Sequence, residues 1–129
     1  MKRARPFLAA ALAALSMWLL AGLWHTVVMV TFYTERTHAE HDGVGLILVA
    51  YLVLAGLMTW VFRRRRPERP AREGLLVGAL VGVLWVFPHE LAMAGAHGGS
   101  VLYVLQNGAW HVVEQGIGGA ILGAVHGEP

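Results

Sequence analysis

Residues 74–96 read GLLVGALVGVLWVFPHELAMAGA. The run is apolar almost throughout, and it matches the roughly 20 residues a helix needs to cross about 30 Å of hydrocarbon. Gly74, Gly78 and Gly82 recur within it at every fourth position. That interval puts the three glycines on one helical face, where a second helix can approach backbone to backbone. Near the end of the run stand His89 and Glu90, polar residues in a stretch otherwise suited to lipid. One segment thus carries both a packing face and the beginnings of a polar site.

Three further apolar blocks flank it, at about 7–33, 44–62 and 101–125. Together the four blocks take up most of a 129-residue chain that is 57% hydrophobic and only 14% charged, so no separate soluble domain is expected. The blocks are continuously apolar and lack the alternation of a membrane β-barrel strand. The sequence therefore predicts a single all-α integral membrane domain spanning residues 1–129, a bundle of four transmembrane helices. Lys2, Arg3 and Arg5 before an alanine- and leucine-rich stretch also fit a secretory signal. The apolar run outlasts a signal core, however, and an uncleaved first helix is expected.

Charge sets the expected orientation. Basic residues gather before the first block and in the loop 63–73, where Arg63, Arg64, Arg65 and Arg66 are followed by Arg69 and Arg72. The other two connections hold one basic residue, Arg36. The positive-inside rule then places both termini and the basic loop in the cytoplasm, across a bacterial or archaeal inner membrane. The arginine run reads as a topology anchor on anionic lipid head groups, at about 1 kcal/mol per residue. Its second reading is a docking surface for an acidic partner. With no aromatic residues between the arginines, nucleic-acid binding is not expected.

Small residues mark the faces on which helices can associate. The fourth block has Gly116, Gly119, Ala120, Gly123 and Ala124, the second Gly45 and Gly56, and the first Ala10, Ala14 and Ala21. These suit a tight bundle, a homo-oligomer or a place in a larger membrane complex.

Six of the seven histidines fall in the half opposite the arginines: His25, His38, His41, His89, His97 and His111. Only His126 lies at the arginine end, and Glu35, Glu40, Asp42, Glu90 and Glu114 follow the six. Ionisable groups at membrane depth cost at least about 2.5 kcal/mol when charged and centred, so they mark candidate sites. Heptad spacing from Gly82 to His89, heptad spacing from Ala14 to Ala21 with one further turn to His25, and the 4, 3, 4 spacing of Asn107, His111, Glu114 and Gly118 predict inward-facing histidines on three helices. The expected inner shell is His25, His89, His111 and Glu114, with Glu35, His38, His41 and Glu90 near the mouth. The second block contributes no ionisable residue by this reading and looks like a structural wall.

With no cysteine in the chain, a metal would be held by imidazole and carboxylate, which suits zinc, iron, copper, nickel or manganese. Glu35 and His38, like His111 and Glu114, are three residues apart, the spacing used in di-iron bundles. A transition-metal site for uptake, transfer or redox chemistry is the first expectation, with a proton-coupled transporter as its variant. Haem b held by two of His25, His89 and His111, in an electron-transfer subunit, is the second. A non-catalytic accessory or assembly subunit is the third. No phosphate-binding loop and no Ser-His-Asp arrangement is present.

Overall fold

A computed structural model describes residues 4–34, 44–64 and 67–127, and every regular element in them is a helix. Helix α1 covers Arg5–Leu23 and runs into a π-helical turn, Trp24–Val28, and a short helix α2, Val30–Thr34. Helix α3 covers Val44–Arg63, α4 Pro70–His97 and α5 Val101–Gly127. Glu35, His38 and His41 lie outside the described residues, as do Glu40, Asp42, Arg65 and Arg66.

Local chemistry sets the ends of α4. Pro70 occupies its first turn, where a missing N–H costs nothing. The Glu73 carboxylate accepts from the backbone N–H groups of Glu68, at 3.0 Å, and Arg69, at 3.3 Å. The far end closes at Gly98, whose φ of 71° lies in the left-handed region that glycine adopts without strain. Two residues on, the Ser100 hydroxyl accepts from the Tyr103 N–H at 3.3 Å and caps the start of α5. A tight helical hairpin results.

The hairpin closes as the glycine interval predicts. Gly74 faces the Gly119 carbonyl, Gly78 the Gln115 carbonyl and Gly82 the His111 carbonyl, while Gly123 meets the Pro70 carbonyl. The seam on α4 runs Gly74, Gly78, Gly82 and Val86, all buried. It stays on every fourth residue, so it drifts away from the heptad register. This places Glu90 beside the seam and leaves His89 exposed, about one residue's rotation from it. The inward-facing His89 expected from heptad spacing is thus not found. Among the described residues, a Cβ at Gly45 or Gly56 would meet no atom within 4 Å.

Helix α5 is central and packs on α4, α1 and α3, while α1 also packs on α3. The core joins Ala9, Ala13, Ala14, Met17 and Ala21 of α1 to Leu54, Ala55, Met58 and Phe62 of α3 and Leu122 of α5. Gly118 admits the Met17 side chain. The outside is covered by large apolar side chains, among them Leu46, Leu84 and Leu102. A soluble monomer rarely exposes so much apolar surface. Three helical segments are long and apolar enough to cross a membrane: Arg5–Val28, Gly45–Arg63 and Pro70–His97. Helix α5 has 27 residues and turns Asn107, Glu114 and Gln115 inward.

Candidate functional site

The site forms where the π turn of the first span meets α5. A π turn carries one residue more than an α turn, and such bulges recur at functional sites. Here the Met29 N–H bonds the Trp24 carbonyl at 2.8 Å, five residues back. Trp24 stacks on Trp110 of α5 with centroids 4.2 Å apart and planes 5° from parallel. One residue on from each tryptophan stand His25 and His111, their ring centroids 6.4 Å apart and tilted by 47°. The two histidines are therefore at one depth.

His25 is oriented by its own helix. Its Nδ1 lies 2.8 Å from the Ala21 carbonyl, which only accepts, so Nδ1 carries a proton and donates it there. An imidazole held this way is in the form that ligates a metal.

His111 and Glu114 share a face of α5, as three-residue spacing dictates. His111 Nδ1 is 3.8 Å from Glu114 Oε1, too far for a hydrogen bond. Glu114 is fully buried, and neither carboxylate oxygen has a hydrogen-bond partner among the described residues. His111 Nδ1 is likewise buried without one. Tyr51 of α3 and Trp110 turn their polar atoms toward the carboxylate without completing a hydrogen bond to it. The second span is thus more than a wall. Its one buried phenol is directed at the acid, a role invisible in a run of Val, Leu and Ala. Gln115, adjacent and fully buried, also lacks a partner among the described residues for either end of its amide.

The remaining predicted residues separate from this cluster. Glu90 Oε1 accepts from Asn107 Nδ2 at 2.7 Å, tying α4 to α5 one turn above His111. Its other oxygen is buried and has no hydrogen-bond partner among the described residues. His97 is exposed with Nδ1 3.1 Å from the Met93 carbonyl, and His126 packs edge-on against Phe62 at the opposite end. Among the described residues no three of His, Asp or Glu converge closely enough to hold a metal ion as they stand. His111 is close to both of its partners, its ring 6.4 Å from that of His25 and its Nδ1 3.8 Å from Glu114, with Tyr51 beside the acid.

No family model matches the chain, and no curated protein or solved structure is detectably similar to it.

Proposed function

We propose that the chain is a four-span inner-membrane protein, both termini cytoplasmic, that binds a transition-metal ion between His25, His111 and Glu114 in its outer half. Three spans satisfy length and polarity outright. The fourth is α5, whose polar residues are covered by its neighbours and whose backbone lies against α4.

The observation that carries the metal reading is the buried set of orphaned atoms. Buried polar groups almost always have partners, and an exception calls for an explanation such as a bound ion. Glu114 presents two unpartnered oxygens next to an unpartnered imidazole nitrogen. A cation compensates all three at once. Two imidazoles sharing one tetrahedral ion at about 2.0–2.1 Å per nitrogen have ring centres about 5 Å apart. The observed 6.4 Å is wider than that, so α1 must close on α5 by about 1 Å to complete the pair. Three protein ligands leave a position open, as exchange or catalysis requires. The Trp24–Trp110 stack fills the space beside the histidines, which favours a bare ion over a porphyrin.

Purification of the full chain in mild detergent, with elemental analysis and a visible spectrum, tests this. About one zinc, iron, copper, nickel or manganese ion per chain is expected, falling at least tenfold in His111→Ala and Glu114→Gln variants of unchanged helicity. A Soret band would establish haem b instead. Absence of both, with a large partner complex retained, would establish the accessory role.

A further inference from the structure

The arginine end of the bundle holds a feature that the histidine site does not use. Between the start of α1 and the end of α3 lies an open groove of about 420 Å³. Phe7 and Ala10 line it from one side, and Gly56, Trp60, Arg63 and Arg64 from the other. Gly56 keeps its floor open, because a Cβ there would meet no atom within 4 Å. Thr59, also in the wall, offers no competing donor, since its hydroxyl is bonded to the Ala55 carbonyl at 2.7 Å. The charges that line the groove are both cationic. The Arg64 guanidinium lies 4.0 Å above the Trp60 ring. Stacking occupies its face and leaves the in-plane N–H donors for an anion.

We infer that this groove binds one anionic phospholipid, its phosphate on Arg63 and Arg64 and its first methylenes along Phe7, Ala10 and Gly56. The volume falls in the range of small-ligand sites, about 300–1,000 Å³. Trp60 stands where interfacial tryptophans stand, one turn inside the basic end of an apolar helix. Charge complementarity selects an anion, and the apolar floor between two spans selects one with a hydrocarbon tail. Inorganic phosphate would leave that floor unused, and an acidic protein segment would have to enter the lipid to reach it. The inference rests on these helices spanning a membrane, not on the metal site.

Native mass spectrometry of the full chain, released from micelles doped with phosphatidylglycerol or phosphatidylcholine, reads this directly. One retained phosphatidylglycerol per chain is expected, with little phosphatidylcholine. The double variant Arg63→Ala, Arg64→Ala weakens retention about thirtyfold, five- to sixfold per arginine. Gly56→Leu keeps every charge but fills the floor, and it weakens retention at least fivefold. Phe7→Ala removes an exposed wall, tolerates folding and weakens retention to a lesser degree. Retention that falls with the arginines but is unaffected by Gly56→Leu and Phe7→Ala means diffuse surface attraction and overturns the groove. Equal retention of the two lipids overturns it too, as does full displacement by millimolar inorganic phosphate.

Discussion

Replacing Gly82 with alanine tests the hairpin and the site together. A Cβ at Gly82 would lie 2.6 Å from the His111 carbonyl oxygen and 2.8 Å from the Val112 Cα. Both are backbone atoms, so no side chain can turn aside. Ordinary contact begins at 3.4 Å, and α5 must retreat to reach it. Such overpacking costs about 1–3 kcal/mol. Alanine also recovers about 0.8–1.0 kcal/mol of helix propensity relative to glycine. Gly22 is the control, because its Cβ would meet nothing within 4 Å, so Gly22→Ala recovers propensity alone. The propensity gain cancels between the two variants, leaving Gly82→Ala less stable than Gly22→Ala by about 1–3 kcal/mol. Reversible unfolding in mixed micelles, followed by far-ultraviolet circular dichroism, measures the difference. Because the displaced carbonyl belongs to His111, metal retention should fall in the same variant and hold in the control. A Gly82→Ala protein as stable as Gly22→Ala would refute the backbone contact.

Glu114→Gln should act in opposite directions on the two states of the protein. The metal-free form gains about 2.5 kcal/mol, the insertion cost of a centred charge, while stabilisation by added metal, about 2.7 kcal/mol at a hundredfold excess over Kd, disappears; thermal unfolding with and without metal reads both. Tyr51→Phe should weaken metal affinity about 10–100-fold with the fold intact, as loss of a group supporting a ligand does, and competition against a chelating dye measures it. Asn107→Leu strands Glu90 and should cost about 1–3 kcal/mol in the unfolding assay. His89→Ala should leave metal content unchanged, since that side chain is exposed away from the cluster; a metal-free His89→Ala protein would restore His89 to the site.

What the sequence disclosed follows the length scale of each signal. Long apolar runs fix helices one by one, and the blocks around 44–62 and 74–96 correspond to α3 and α4. The glycine interval on α4 is local to one helix and disclosed the seam. Position 89 was beyond it, because heptad spacing and a four-residue seam diverge with every turn. His25 and His111 are expected to face inward and both are half-buried, but their approach to 6.4 Å depends on how α1 crosses α5, which no local pattern announces. Tyr51 was missed for a related reason. A phenol in an apolar run reads as bulk until the helix opposite presents a carboxylate. The seam itself explains why Glu90 pairs with Asn107, a contact visible only once the crossing of α4 and α5 is known.

The π turn at Trp24–Val28 also bears on how the chain tolerates changes in length. It behaves as a one-residue insertion absorbed within a helix. Val27 and Val28 are both exposed, so deleting either removes little packing and lets the backbone return to α geometry. Helix α2 would then swing by about 100° around the helix axis. Phe32, stacked on Tyr103 with centroids 6.1 Å apart, would lose its partner, while Trp24 and His25 upstream would keep theirs. A shortened chain of this kind would still insert and fold its lower half, yet present a differently aimed cap above the histidines. Among diverging copies of this protein, the length of that one turn would distinguish those that share the cap from those that share only the bundle.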